Sequence, residues 1–254
     1  MPTIVVPGPA PESERGAYFA EPVPTADRPG PWPGVVVIHD ALGLGDDMRE
    51  QCDWLAAAGF VTVVPDMYHG KRMIRCVKGV FQQLTQQHGP VFEQIDQARR
   101  WLAGRDDCTG TVGVIGYCMG GAFALVLAGR PGYSAASVNY GAPLPEDIEA
   151  TLAGACPVVA SYGGKDRGLK GAAATVSALL EKAGVPADVK EYPNATHAFI
   201  NRPPLASPTA VLMKITGLGA YHHDSAADAK RRILAFFDQH LRVGADVSTG
   251  LLDG

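Results

Sequence analysis

Three side chains in this sequence have the types and the order needed for nucleophilic catalysis: Cys118, Asp166 and His197. Cys118 lies in GVIGYCMGGA, residues 113–122, with a glycine two positions before it and another two positions after it. Asp166 ends GGKD and His197 lies in NATHAF, each directly after a strand-like run. A thiol is a weak nucleophile until it gives up its proton, so it needs a base, and the base needs a partner to fix its tautomer. His197 has the chemistry of that base and Asp166 that of the partner. A cysteine beside a tight turn is by default a small buried hydrophobe. The strand before Cys118, the helix-forming segment after it and the two later motifs favour the nucleophile.

The glycines have a mechanical reason. A residue placed between a strand and a helix with its side chain exposed at the turn is strained, and its neighbours two before and two after must pass very close. Gly116 and Gly120 give that room. The turn also puts Cys118 at a helix N-terminus, where the dipole favours a thiolate. Charge developing on a substrate oxygen needs two backbone donors. Met119 follows the nucleophile and supplies one. Ala41, in the loop HDALGLG after the first strong strand, supplies the other.

These residues need a scaffold that gathers strand ends. GVVVIHD (34–40), FVTVVPD (60–66), TVGVIG (111–116), AASVNYG (135–141), CPVVASYGG (156–164) and DVKEYP (188–193) read as strands. Most are continuous apolar runs, as in a sheet covered on both faces. Helical spacing is expected over 46–58, over 77–103 with a break at HGP, and over 119–129, 170–183 and 225–241. Alternation of this kind predicts an α/β fold: a mostly parallel central sheet with helices on both faces, whose carboxyl strand ends carry function. Residues 1–254 are expected to form one domain. Residues 1–33 read as a proline-rich lead-in packed on it, irregular apart from a short hairpin near AYFAEP.

Composition narrows the function classes. The net charge is −4 with no basic run, which excludes an ordinary nucleic-acid binder. The start MPTIVVPGPAPESERG has no signal-peptide pattern and no apolar stretch is long enough to span a bilayer, so the expected location is the cytoplasm, with no membrane partner. The five cysteines contain no Cys-x-x-Cys pair, so neither a disulfide framework nor a metal site is expected. YHHD (221–224) reads as a helix start with Asp224 near its N-cap, not as a metal pair. GVIGYCMGG lacks the G-x-G-x-x-G spacing of a dinucleotide loop.

The stretches VVVIHDALGLGDDMREQCDWLAAAGFVTVVPDMY, VGVIGYCMGGAFAL, YGGKD and ATHAFINR resemble the dienelactone hydrolase family, a cysteine-based branch of the α/β-hydrolases, from about residue 15 to residue 241. The resemblance implies a single-domain α/β-hydrolase fold, a carboxymethylenebutenolidase-like activity, no cofactor, and Cys118, Asp166 and His197 as nucleophile, acid and base. It also implies that Asp40 matches a strand-end glutamate that pairs with the resting cysteine, here one methylene shorter. Where the family has an arginine that grips a substrate carboxylate, this chain has Asn201, with Arg202 next. Lys71, Arg72 and Arg75, in the segment after the second strand, are read first as solvated surface residues, with a supply of positive charge to the site as the alternative. Tyr68, Tyr140 and Phe199 sit at or just past strand ends and are candidates, with Arg202, for contact with substrate. The expected function is hydrolysis of a small ester or lactone by a monomer or homodimer. A ligand-binding protein or a thiol redox sensor on the same fold is the alternative.

Overall fold

The structure is a computed structural model and describes residues 3–6, 15–71, 73–202 and 219–242. Its strands are β1 (Thr3–Val6), β2 (Arg15–Ala20), β3 (Trp32–Ile38), β4 (Val61–Pro65), β5 (Cys108–Tyr117), β6 (Ala135–Asn139), β7 (Val158–Gly163) and β8 (Ala187–Tyr192). Its helices are α1 (Asp46–Ala57), α2 (Met73–Gln86), α3 (Pro90–Ala103), α4 (Met119–Ala128), the short α5 (Ile148–Thr151), α6 (Ala172–Lys182) and α7 (His223–Leu241). Each of the six strands expected from 34 onward is present within a few residues of its expected bounds.

The strands form one sheet in the order β1-β2-β4-β3-β5-β6-β7-β8. From β4 through β3 to β8 every neighbouring pair is parallel. β1 and β2 extend the sheet antiparallel, with β2 registered on β4 through Ala17↔Pro65 to Ala20↔Thr62. This corrects the reading of residues 1–33: the lead-in contributes strands to the central sheet. Ala17, Tyr18 and Ala20 are buried there, since a free edge of β4 would otherwise leave a row of backbone groups unpaired. At the other edge β8 is mostly exposed, and its charged Asp188, Lys190 and Glu191 discourage further strand addition.

Two glycines show how the sheet is covered. A Cβ at Gly34 would come within 2.8 Å of Leu102 in α3, and one at Gly113 within 2.8 Å of Leu241 in α7. Gly34 is registered with Val112, the residue before Gly113, so the two look to opposite faces. Helices therefore pack on both sides, and the fold is α/β. β3 is buried throughout, as is all of α4. The break expected near 88–90 separates α2 from α3, with Gly89 at the N-cap and Pro90 in the first turn of α3. At the start of α7 the capping residue is His222, whose ring accepts from the Ser225 amide at 3.3 Å; Asp224 lies inside the helix. Among the described residues no helix is long and apolar enough to cross a membrane.

Candidate active site

The end of β5 sets the geometry. Cys118 is the N-cap of α4, with φ 54° and ψ −119°, a strained conformation for a residue with a side chain. A Cβ on Gly116 would lie 1.9 Å from the Gly120 carbonyl oxygen. A Cβ on Gly120 would lie 2.3 Å from the Ile38 oxygen, and one on Gly121 2.6 Å from the Asn139 oxygen. Three glycines are therefore used. Gly116 lets strand and helix touch, Gly120 admits β3 and Gly121 admits β6. The Cys118 amide donates to Asn139 O at 3.0 Å, and its carbonyl accepts from Gly121 N at 2.9 Å. Asn139 holds the turn from a second side as well, its Nδ2 donating to Gly116 O at 3.1 Å. Sequence reasoning passed over Asn139. Its one signal is a fully polar side chain at the end of the apolar run AASVN.

Asp166 and His197 come from neighbouring loops after β7 and β8. Gly164 N donates to Tyr192 O at 2.8 Å and Lys165 N to Ala195 O at 2.9 Å. A Cβ on Gly163 would lie 2.4 Å from Thr196 O, so the loops meet backbone to backbone. Asp166 caps a short 3-10 turn, Arg167–Leu169, with Oδ1 accepting from Gly168 N at 3.0 Å. Its Oδ2 lies 2.5 Å from His197 Nδ1, and the pair is largely buried. The remaining ring nitrogen, Nε2, is the one left for Cys118, the other side chain that acts on His197. Burial draws the His197 pKa down, but the bonds to Asp166 and Cys118 outweigh it and push it up to about 9. Cys118 itself is partly exposed.

The amides of Met119 and Ala41 have no hydrogen-bond acceptor among the described residues. Tyr68 supports the Ala41 loop. Its ring is buried, its hydroxyl donates to Ala41 O at 2.9 Å, and Gly43 leaves room for it, since a Cβ there would be 3.0 Å from the ring. His39 is fully buried and bridges two strand ends, Nδ1 donating to Asp40 O at 2.7 Å and Nε2 accepting from Met67 N at 3.1 Å. Burial lowers its pKa, which keeps the ring neutral in that bridge. Asp40 is half-buried and caps its own loop, Oδ1 accepting from Leu42 N at 2.8 Å. Burial raises its pKa to about 6, with Asp47 adding to the rise and the Leu42 amide and His197 opposing it.

Tyr140 is fully buried, with its ring 5.1 Å from that of His197 and 5.7 Å from that of Phe199. Phe199 is also fully buried and packs on Tyr192, so it forms the floor behind the histidine loop. Asn201 is 3% exposed; its Oδ1 accepts from the Tyr140 hydroxyl and its Nδ2 donates to Asp47 Oδ2. Arg202 is exposed and lays its guanidinium over the Tyr221 ring at 4.4 Å, while its amide donates to Asp47 Oδ1 at 2.9 Å. Lys71 and Arg75 are exposed, and Arg72 lies outside the described residues. Asp47, in the first turn of α1, was not singled out from sequence because an acid there reads as an ordinary helix-start charge. Among the described residues no group of three or more His, Cys, Asp or Glu side chains is arranged to hold a metal.

The dienelactone hydrolase family model matches residues 16–241. The chain belongs to the dienelactone hydrolase family. A Yersinia pestis protein provisionally named as a carboxymethylenebutenolidase is 26% identical over 251 residues, covering 91% of this chain and 86% of the relative. The fold is shared with a Klebsiella pneumoniae structure provisionally described as a dienelactone hydrolase, at 24% identity and TM-score 0.76, covering 94% of this chain and 98% of that one. It is shared too with a dienelactone hydrolase from Anabaena variabilis, at 19% identity and TM-score 0.67, covering 95% and 98%. Family membership makes the chain an ester- or lactone-cleaving hydrolase.

Two outcomes follow from this geometry. Gly116→Ala forces a methyl into the Gly120 carbonyl and is expected to lower stability by about 3 kcal/mol or more; urea unfolding of the variant measures it, and an unchanged midpoint would contradict the close approach. The raised His197 pKa also predicts a pH dependence of stability. A group whose pKa rises from 6.5 to about 9 on folding stabilises fully below about pH 6.5 and loses that contribution as pH passes 9. The stability gap between the wild type and Asp166→Asn should therefore be on the order of 2 kcal/mol at pH 6 and shrink by pH 10. A gap independent of pH would contradict the pairing.

Proposed function

We propose that the protein hydrolyses a small-molecule ester or lactone through a covalent acyl-thioester on Cys118. The observation that carries this reading is the Asp166–His197 pair, bonded at 2.5 Å through Nδ1, with Cys118 near enough to His197 to raise its pKa. His197 is the base placed to take the thiol proton as sulfur attacks. The thiolate adds to the substrate carbonyl, and the Met119 and Ala41 amides take the developing oxyanion. Collapse of this intermediate expels the alcohol oxygen, which takes the proton from His197 Nε2.

The same ring then serves as a base. Once sulfur is acylated it no longer stabilises the imidazolium, so the His197 pKa falls toward its ordinary value. Neutral Nε2 can then take a proton from water, whose oxygen attacks the thioester, and the acid leaves as the Cys118 thiolate is restored. Asp166 holds the ring in the tautomer both steps need. Asp40 adds a charge close to His197 that assists proton transfer as substrate arrives. The unpaired state of both proposed oxyanion donors supports this assignment over a binding-only role, since the two amides have no structural bond to make.

The test is turnover of chromogenic short-chain esters and unsaturated lactones by the wild type, Cys118→Ala, His197→Ala and Asp166→Asn. The first two variants should lose about 1,000-fold or more in kcat, and Asp166→Asn on the order of 100-fold. Wild-type-like turnover by folded Cys118→Ala would overturn the cysteine mechanism.

A further inference from the structure

We propose that this site selects esters whose acyl group is uncharged and apolar, and that Asp47, together with Asp40, turns away substrates bearing a carboxylate. The inference rests on the hydrolase reading above and specifies its substrate class.

The stretches that directly follow β3 and β6 carry no lysine or arginine. Residues 41–45 after β3 are Ala-Leu-Gly-Leu-Gly, and residues 140–144 after β6 are Tyr-Gly-Ala-Pro-Leu. Leu42, beside the Ala41 amide, is 48% exposed, and Val23 is the other large hydrophobic side chain so exposed among the described residues. Val23 lies on the segment between β2 and β3, away from the carboxyl ends of the strands. In this proposal Leu42 is the side chain that an acyl chain meets beside the Ala41 amide.

Among the described residues, the charged side chains acting on Asp40 and Tyr140 are carboxylates apart from the catalytic candidates His197 and Cys118. Asp47 is fixed by Asn201 Nδ2 and by the Arg202 amide at 2.9 Å, so it cannot swing away. It acts on Asp40 and, with Asp40, on Tyr140, whose ring lies 5.1 Å from His197. Asp40 remains mostly ionised above pH 7 despite its burial. The cations close to Asp47 are committed elsewhere: Arg202 lies over Tyr221 at 4.4 Å, and Lys230 lies half-buried over Trp54 at 4.5 Å. The Asn201 side chain is also held in place, its oxygen accepting from Tyr140 and one Nδ2 hydrogen given to Asp47. A carboxylate entering here would shed water and gain two like charges in exchange. An alkyl chain loses nothing by the same move.

Three substrates with one leaving group test this: p-nitrophenyl butyrate, mono-p-nitrophenyl succinate and methyl p-nitrophenyl succinate, assayed with the full chain at pH 8. The methyl diester matches the succinate monoester in shape and removes its charge. For the wild type, kcat/KM on the charged monoester should be about 100-fold below that on either neutral ester. In Asp47→Asn the ratio of charged to methylated succinate should rise about tenfold, and a general loss from imperfect folding cancels in that ratio. A charged monoester within about threefold of its methyl ester in the wild type would overturn the inference while leaving the hydrolase reading intact. A large gap unchanged in Asp47→Asn would overturn the role given to Asp47. Turnover of none of the three would overturn the hydrolase reading, and this inference with it.

Discussion

Everything at this site depends on one close approach, that of the end of β5 to the first turn of α4. With no side chain at Gly116, the Gly120 carbonyl occupies the space where a Cβ would sit, 1.9 Å away. The chain can then reverse within a single residue, and that residue is Cys118 at φ 54°. The strain has to be held by its surroundings. Asn139 does this from both ends of the turn, taking the Cys118 amide on its main-chain oxygen and giving its side-chain amide to Gly116 O. The buried helix behind the turn resists any relaxation, because every residue of α4 is packed. Sulfur is thereby fixed at a helix N-terminus with the Met119 amide pointing to the same region.

A second constraint is electrostatic and changes as the reaction proceeds. Burial alone would leave His197 neutral, and two bonded partners reverse that. Asp166 is a permanent partner, held by its own capping turn. In the proposed mechanism Cys118 is a conditional one, supporting the imidazolium only while its sulfur is free. In that mechanism this histidine is an acid before acylation and a base after it, with no movement of the scaffold. Around it the carboxylates Asp40 and Asp47 give the region an acidic border, and Tyr140 and Phe199 give it an apolar floor.

Much of this was legible in the sequence because it is local. The glycine spacing about Cys118, the strand before it and the polar residues that end later strands are patterns within a few residues of one another. The parallel order of the sheet followed from alternation of strands and helices. What the sequence hid was long-range. β2 is a strand because it meets β4, and the proline-rich segments on either side of it gave no sign of that partner. Asn139 bonds a residue 23 positions away, and Asn201 bonds Asp47 across 154 positions. Aromatic residues near strand ends were ambiguous for a related reason: burial decides their role, and Tyr68 and Phe199 turn inward to brace loops.

The central claim is that acyl transfer passes through the sulfur of Cys118, and the most direct measurement is the mass of that residue during turnover. The wild-type enzyme, mixed with a slowly hydrolysed p-nitrophenyl ester and quenched in acid within the steady state, would be digested and its Cys118 peptide weighed. The account predicts a peptide heavier by the acyl group less one hydrogen, with the addition removed by hydroxylamine as a thioester is. Steady turnover with an unmodified Cys118 peptide, or with the acyl group on another residue, would contradict it.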